Sequence, residues 1–241
     1  MAIYLQLGAG VGDLDYSADY RDGFSRFVKN LNLRITDKVI VVEANPFNIE
    51  RLKESWSRFP EVLVLNLAVI PNGTTSSSEV DLYYVSQDAP FFQIASLDKS
   101  HVQKHFPDSD ILSMPVKVFE ISHLLNSYCG LEQIELLALD IEGLDLRVIQ
   151  SLDLEKHDIH KISFERTHAG QLSRDVSKKL RSFGYVRAGS GMDPHNSDVL
   201  WVKPRGYQER FSCFVKNFRH SMWEVQIPLR HKLKSQFQRQ L

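Results

Sequence analysis

The most informative local pattern in the chain is a glycine-rich turn near its start. It reads Leu7-Gly8-Ala9-Gly10-Val11-Gly12-Asp13 and directly follows the apolar segment Ile3-Tyr4-Leu5-Gln6-Leu7. Glycines let a backbone turn sharply and approach a ligand closely, and such a turn between a strand and a helix is typical of nucleotide-like cofactor sites. The dinucleotide fingerprint requires a third glycine, GxGxxG, where this chain has Asp13. The turn therefore disfavours a pyrophosphate ligand.

An acidic side chain ends the next apolar segment. Glu43 closes the run Lys38-Val39-Ile40-Val41-Val42, where a carboxylate can accept hydrogen bonds from both ribose hydroxyls of an adenosine. The 31 residues from Gly12 to Glu43 exceed the spacing of roughly 20 that is typical of dinucleotide sites. We therefore expect Glu43 to bind the ribose of an adenosine cofactor, the alternative being an acid that is simply solvated at a strand end.

Four side chains in two short segments are candidates for proton transfer. Asp140 and Glu142 follow one apolar segment, and Glu165 and His168 follow another. A neutral alcohol is a poor nucleophile, and a general base beside it is typically worth about 10² to 10⁴ in rate. An imidazole has the ordinary pKa best suited to that role at neutral pH, which favours His168. We predict His168, Glu165 and Glu142 as the catalytic residues, although a lone histidine in a loop is often structural.

The same four residues also permit a divalent-metal site, because oxygen ligands with one imidazole can hold Mg²⁺ or Mn²⁺. Their spacing does not demand one. We favour the alternative in which Asp140 contacts the cofactor, Glu142 caps a helix or forms a pair, and Gly143 permits a tight turn. No metal site is therefore predicted.

The elements that must position these residues alternate between strand-like and helix-like segments, which predicts a parallel sheet with crossover helices. The predicted strands cover residues 3–7, 38–43, 62–65, 134–140, 160–165, 185–187 and 198–202. The helical spacing of apolar residues predicts helices over about 17–32, 46–59, 121–128, 146–152 and 172–183. The loop between the last two strands is too short for a crossover helix, so that pair must be antiparallel. The sequence thus predicts a Rossmann-like α/β fold with a seven-stranded, mostly parallel sheet, an antiparallel last strand and helices on both faces.

Residues 68–130 form a longer excursion than one crossover requires, and function often resides in such insertions. We predict one domain over residues 1–204, in which the insertion at about 68–130 forms the acceptor side. A basic, aromatic-containing helical extension is predicted over residues 205–241.

The net charge of −1 hides an asymmetry along the chain. Residues 205–241 carry eight Lys or Arg and two acids, a net +6, so residues 1–204 sum to −7. The extension also holds the aromatic residues Phe211, Phe214, Phe218 and Trp223. Two interpretations are open: an arm for nucleic acid or a membrane surface, and a helix whose aromatic stripe packs on its own domain or on a second subunit. We favour the second.

The composition is that of an ordinary compact protein, with 43% apolar and 24% charged residues. Two cysteines, Cys129 and Cys213, exclude a disulfide framework and a paired zinc motif. The glycine turn begins by Gly8, which leaves no room for a secretion signal, and no apolar run approaches the roughly 18 to 20 residues that a membrane span needs. These features predict a cytoplasmic protein.

The chain resembles the FkbM-type methyltransferases over about residues 3–203. Three ordered segments carry the resemblance: the glycine turn, Val42-Glu43-Ala44-Asn45-Pro46, and Leu139-Asp140-Ile141-Glu142-Gly143. Further segments similar to the family are Asn66-Leu67-Ala68-Val69, Ala95-Ser96 and Ser163-Phe164-Glu165. The resemblance implies a class I methyltransferase fold, S-adenosyl-L-methionine (SAM) as the methyl donor and cofactor, and O-methylation of hydroxyls on sugars, polyketides or similar metabolites.

The resemblance also implies which residues hold the cofactor. They are Gln6, Gly8, Ala9, Gly10, Gly12, Glu43, Ala44, Asn45, Asn66, Ala68 and Asp140. Methyltransferases of this class usually carry an acid where this chain has Gln6. Glutamine can form hydrogen bonds there but offers no charge to the methionine ammonium of the cofactor.

The prediction is therefore a SAM-dependent methyltransferase that acts on a hydroxyl of a small molecule or glycan. One alternative is a SAM-binding scaffold with little or no turnover that uses its basic extension to bind a partner. A less favoured alternative is a NAD-dependent oxidoreductase, which would need the third glycine that Asp13 replaces. The acidic main body disfavours nucleic acid as a partner, no membrane span is expected, and a homo-oligomer through the C-terminal extension is considered.

Overall fold

A seven-stranded sheet organises the protein, for which the computed structural model describes residues 1–14, 22–59, 61–165, 170–192 and 198–221. The strands within these residues are β1 (Ile3–Leu7), β2 (Lys38–Glu43), β3 (Val62–Asn66), β4 (Ala68–Ile70), β5 (Glu79–Tyr84), β6 (Leu112–Glu120), β7 (Ile134–Leu139), β8 (Lys161–Glu165), β9 (Val186–Ser190) and β10 (Asp198–Val202). The main sheet has the order β3-β2-β1-β7-β8-β10-β9. Its strands are parallel except for β10, which is antiparallel to both of its neighbours. The predicted sheet with an antiparallel last strand is confirmed.

Helices cover both faces of this sheet. The described helices are α1 (Gly23–Lys29), α2 (Ile49–Ser55), α3 (Lys99–His105), α4 (Ile121–Tyr128), α5 (Asp145–Ser151), α6 (Gly170–Ser182) and α7 (207–221), of which α3 lies in the insertion. Successive residues of a strand point to opposite faces, so Ile40 joins a core that contains Leu124 of α4, whereas Val41 packs with Phe24 of α1 and Leu52 of α2. In the described part of the chain, no helix has the length and apolar character needed to cross a membrane.

Two helices differ in extent from their sequence patterns. The helix predicted over about 17–32 is α1, and residues 15–21 lie outside the described part of the chain. The next predicted helix begins as a 3₁₀ turn at Pro46–Asn48 before it continues as α2. The Asn45 side chain caps that turn by accepting a hydrogen bond from the Phe47 amide at 3.0 Å, and capping by a short polar side chain competes with regular helix.

The predicted insertion builds a second, three-stranded sheet of order β4-β6-β5. Ser96 links this small sheet to the main domain. Its backbone pairs with Tyr83 of β5 at 2.8 and 3.0 Å, and its Oγ donates a hydrogen bond to the carbonyl of Glu142 at 2.9 Å. The insertion thereby reaches the carboxyl edge of the main sheet. Its assignment to the acceptor side stays a prediction, as does the domain boundary after residue 204.

Helix α7 lies against the main domain with one face and exposes the other. Cys213 is buried with Ala188 and Val202. The outward face carries side chains that are 57% to 82% exposed, namely Tyr207, Phe211, Phe214 and Phe218. Within the described residues the aromatic stripe therefore does not pack on its own domain. The expectation of such packing is wrong, and packing on a second subunit stays a prediction. Trp223 lies outside the described residues.

The glycine turn after β1 fits between the ends of two neighbouring strands. The amides of Gly8 and Ala9 donate to the carbonyl of Val42 at 2.9 and 3.0 Å, and the amide of Asp140 donates to the carbonyl of Leu7 at 2.9 Å. Gly8 has a φ of +76°, and a Cβ at this position would lie 1.8 Å from the carbonyl oxygen of Asp140. Since no side chain fits there, glycine is required by packing as well as by backbone conformation.

Gly8→Ala should lower the free energy of unfolding by about 3 to 4 kcal/mol, because overpacking adds to the cost of a left-handed conformation. Gly73→Ala is the matched control, since Gly73 has a φ of +72° but nothing within 4 Å of a Cβ. It should lose only about 1 to 2 kcal/mol. Urea unfolding measures both variants, and equal losses would show that the contact with Asp140 does not constrain the turn.

Candidate functional site

A cavity of about 430 Å³ opens at the carboxyl edge of the main sheet, the edge at which open α/β sheets bind ligands. Its walls come from the glycine turn, from the ends of β2, β7 and β8, and from the insertion. The predicted site residues that line it are Gln6, Gly8, Ala9, Gly10, Gly12, Glu43, Ala44, Ala68, Asp140, Glu142 and Glu165. Residues from widely separated segments of the sequence thus meet in one place.

The Glu43 carboxylate is buried at the end of β2 and is held by two backbone amides. Gly10 donates to its Oε2 and Asn45 donates to its Oε1, both at 2.7 Å. Burial raises the pKa of Glu43 to about 7, and the hydrogen bonds from Asn45 and Gly10 oppose that rise. Each carboxylate oxygen has a further lone pair, so Glu43 can still accept hydrogen bonds from the two hydroxyls of a ribose.

Asn45 and Asn66 do not line the cavity. Asn45 caps the 3₁₀ turn, and the Asn66 side chain donates to the carbonyls of Glu43 and Ala44 at 3.0 and 3.1 Å. Both side chains therefore hold the segment that carries Glu43. Their predicted contact with the cofactor remains a prediction.

Asp140, directly after β7, presents its carboxyl to the cavity. The residue is exposed, and it lines the cavity. Desolvation by the surrounding protein, followed by the charges of Glu142 and Asp145, raises the pKa of Asp140 well above its ordinary value. A cationic ligand in the cavity would offset these neighbouring negative charges.

Glu142 occupies a strained turn that the insertion holds in place. Its φ is +45°, in the left-handed region, and its carbonyl accepts the hydrogen bond from Ser96. Its Oε2 lies 3.0 Å from Nε2 of His101 on α3, and this hydrogen bond raises the pKa of His101. Strain of this kind persists where the surroundings enforce it, most often at functional sites. Glu142 therefore forms a pair, and its partner comes from the insertion.

Glu165 ends β8 and is half-buried at the cavity wall. Its charge contributes to the raised pKa of His101. His168 lies in the segment 166–169, outside the described residues, so its catalytic role stays a prediction. Among the residues that the structure describes, no three or more His, Cys, Asp or Glu side chains are grouped to hold a metal ion.

Several cavity residues come from elements that the motifs did not mark. Asp22 precedes α1, Asp198 begins β10, Phe91 and Phe92 lie in the insertion, and His105 ends α3. An acid directly before a helix is a recognisable N-cap signal for Asp22, but that signal does not indicate a cavity. The other four carry no local signal, because only packing brings them to this edge.

An aromatic surface adjoins the Glu43 end of the cavity. Phe92 lines the cavity and contacts Phe47 and Tyr84, with ring centroids 5.3 and 5.7 Å away. Phe47 follows Glu43 by four residues, on the 3₁₀ turn after β2. Flat rings beside the Glu43 carboxylate provide a stacking surface suited to an adenine base.

The charged side chains that line the cavity are almost all acidic. They are Asp22, Glu43, Asp140, Glu142, Glu165 and Asp198. Within the described residues no lysine or arginine lines it, and His105 is the one basic side chain there. Asp13, at the position of the missing third glycine, is bound by Lys29 at 2.8 Å. These carboxylates suit a ligand that carries a ribose and a positive charge, as SAM does, and they disfavour a pyrophosphate.

Comparisons with known proteins bear on this site. The family model described as the methyltransferase FkbM domain matches residues 6–187. Among solved structures, the chain is similar to Aeropyrum pernix fibrillarin in complex with natively bound S-adenosyl-L-methionine, with 10% identity, a TM-score of 0.39, and coverage of 83% of this chain and 64% of that chain. It is also similar to precorrin-6y C5,15-methyltransferase from Geobacter metallireducens, with 11% identity, a TM-score of 0.40, and coverage of 83% and 77%. No curated protein matches the chain.

The affinity for S-adenosylhomocysteine should rise with pH through about 7. The pKa of Glu43 is about 7 in the free protein, and ribose hydroxyls donate to the ionised carboxylate, so binding at pH 6 should be about tenfold weaker than at pH 8. Calorimetric titration across this range measures the effect. Glu43→Gln should bind more weakly and lose the pH dependence, whereas Glu50→Gln, at an exposed position on α2, should keep the wild-type profile. Unchanged affinity in Glu43→Gln would show that the adenosine does not lie at Glu43.

Proposed function

The chain belongs to the FkbM methyltransferase family and is a SAM-dependent methyltransferase, and we propose that it methylates a hydroxyl of a sugar, polyketide or other small metabolite. The observation that carries this proposal is the order of groups along the sheet edge, with Glu43 on β2, Asp140 after β7 and Glu165 on β8. Neighbouring strands are about 4.8 Å apart, so three steps from β2 to β8 span about 14 Å. This order supports an adenosine site at Glu43 and an acceptor site toward Glu165.

The chemistry required of the chain is limited. When bound, SAM supplies a methyl group already activated by a positively charged sulfur. The protein's own tasks are to orient the acceptor hydroxyl, which is a proximity effect, and to take the proton that the hydroxyl releases.

We propose Glu165 as the group that accepts this proton. Its carboxylate is half-buried at the cavity wall, at the end of β8, where it can accept a proton from a hydroxyl bound in the cavity. Glu142 is already bound by His101 at 3.0 Å, which suits it to positioning the wall or to a secondary role. His168 remains the histidine candidate for the base.

The charge of the cavity supports an acceptor without phosphate or carboxylate groups near the reacting hydroxyl. Six carboxylates line the cavity, and no lysine or arginine of the described residues does so. An anionic group on the acceptor would be repelled by these carboxylates, and burial strengthens the repulsion. A neutral polyol or glycan meets this constraint, whereas a nucleic acid, with one charge per phosphate, does not.

Glu165→Gln should reduce kcat by about 10² to 10⁴ and change the affinity for S-adenosylhomocysteine by less than about twofold. The assay follows methyl transfer from radiolabelled SAM to a panel of sugars and polyketide alcohols. Glu155→Gln, at an exposed site, is the matched control and should be fully active. Full activity in Glu165→Gln with loss in Glu142→Gln or His168→Ala would reassign the base. Transfer to amines but to no alcohol would overturn O-methylation itself.

We also propose that two copies of the chain associate through α7. Its outward face repeats an aromatic residue every three or four positions, and the four side chains from Tyr207 to Phe218 are largely exposed. Aromatic side chains bury about 150 to 250 Å² each, so pairing this face with the same face of a second copy supplies much of the roughly 800 Å² per partner of a standard interface. A single self-complementary helix face suits a two-fold axis.

Multi-angle light scattering should give a dimer mass for the wild-type protein. The double variant Phe211→Ser, Phe214→Ser should be monomeric with unchanged affinity for S-adenosylhomocysteine, because the stripe lies on the side of α7 that faces away from the domain. Arg210→Ser, on the same helix, is the control and should remain dimeric. A wild-type protein that stays monomeric at high micromolar concentration would contradict the proposal, and its sedimentation with anionic vesicles would point to a membrane surface as the occupant.

A further inference from the structure

Two residues of the cavity wall, Gln6 and Asn48, each have a buried polar atom without a hydrogen-bond partner in the described structure, and the other end of the Gln6 side chain binds an acidic group. Gln6 is 5% exposed and lines the cavity, and its carbonyl oxygen Oε1 is buried without a hydrogen bond. Buried polar atoms in native proteins are almost always hydrogen-bonded, so an exception calls for an explanation. An acceptor atom in the wall of a ligand cavity is explained by a donor on the ligand.

The other end of the Gln6 side chain is fixed. Its Nε2 donates to Oδ1 of Asp22 at 3.0 Å. A carboxylate offers only acceptors, so the amide nitrogen must face Asp22 and the carbonyl must face away from it. The orientation of the Gln6 amide is therefore set by Asp22.

Asp22 is itself held rigidly, as the N-cap of α1. Its carboxylate accepts hydrogen bonds from the amides of Phe24 and Ser25 at 3.3 and 2.8 Å, in addition to that from Gln6. It is 8% exposed, and no lysine, arginine or histidine of the described residues forms an ion pair with it. Burial raises the pKa of Asp22, and the hydrogen bonds from Ser25, Gln6 and Phe24 oppose that rise. A buried negative charge without a counter-ion is unfavourable unless a cation comes near, so a cationic ligand would favour the ionised carboxylate.

We propose that Asp22 is a positioning residue for the cofactor: it orients Gln6 so that Oε1 accepts a hydrogen bond from the α-ammonium of SAM, and its charge lies directly behind that contact. The proposal rests on the assignment of SAM as the cofactor. The ammonium is the cofactor group that combines N–H donors with a positive charge, which is the combination that Gln6 and Asp22 together accommodate. The neutral Gln6 and the buried Asp22 jointly supply the acceptor and the charge that a single carboxylate would supply on β1.

The test compares two ligands that differ only at the amino-acid end. S-adenosylhomocysteine carries the ammonium, whereas 5′-methylthioadenosine keeps the adenosine and the thioether and lacks it. Asp22→Asn should weaken S-adenosylhomocysteine at least about tenfold in calorimetric titration and leave methylthioadenosine within about twofold, because a hydrogen bond to a charged group is lost for one ligand only. Asparagine is also a good N-cap, so α1 should remain intact.

A second variant separates positioning from damage to the fold. Gln6→Glu combined with Asp22→Asn exchanges the two groups, so that an amide at position 22 would donate to a carboxylate at position 6, whose other oxygen would face the cavity. This double variant should restore the affinity for S-adenosylhomocysteine to within about threefold of the wild type, since acceptor and charge are both returned. Glu43→Ala is the reference and should weaken both ligands.

The outcomes are distinguishable. Equal weakening of both ligands in Asp22→Asn, or no weakening of either, would overturn the role of Asp22, as would failure of the double variant to recover although its thermal unfolding matches that of the wild type. Wild-type protein that binds neither ligand would instead remove the SAM assignment on which the proposal rests.

Discussion

The contact between the glycine turn and the neighbouring strand ends is the constraint on which the rest of the structure depends. Gly8 lies so close to the carbonyl of Asp140 that no Cβ fits between them, and the Gly10 amide binds the Glu43 carboxylate. These contacts fix the carboxyl ends of β2, β1 and β7 relative to one another. Because backbone packing forms this edge, the groups that line the cavity are in position before a ligand enters, which is the preorganisation that binding and catalysis require.

This edge also gathers negative charge at a cost to stability. Burial raises the pKa values of Glu43 and Asp145 to about 7, and that of Asp140 rises as well. The folded chain holds these protons more tightly than the unfolded chain does, so the stability that these three groups contribute is present at about pH 4 and is lost as pH rises through about 7. A cationic ligand bound at this edge would offset these negative charges. The charge pattern is thus unfavourable for the empty fold and favourable for the binding of a cation.

The insertion completes the cavity through contacts that no local pattern encodes. Ser96 binds the carbonyl of Glu142, and His101 binds its carboxylate. The strained turn after β7 is therefore held from outside the main sheet. The length of the excursion predicted a functional insertion, and residues of this segment line the cavity, but its individual contacts depend on how the small sheet docks.

The sequence by itself determined the sheet, the glycine turn and the family, and eleven of the fourteen predicted site residues line the cavity, because alternating apolar segments, required glycines and acids at strand ends are local signals. It did not determine that Asn45 and Asn66 support the Glu43 segment from outside the cavity, nor that the aromatic stripe of α7 faces away from its own domain. Only the tertiary structure decided that Asp22 orients Gln6 and that His101 pairs with Glu142. Those contacts join residues far apart in the chain, and their geometry exists only after helices and insertion have packed against the sheet.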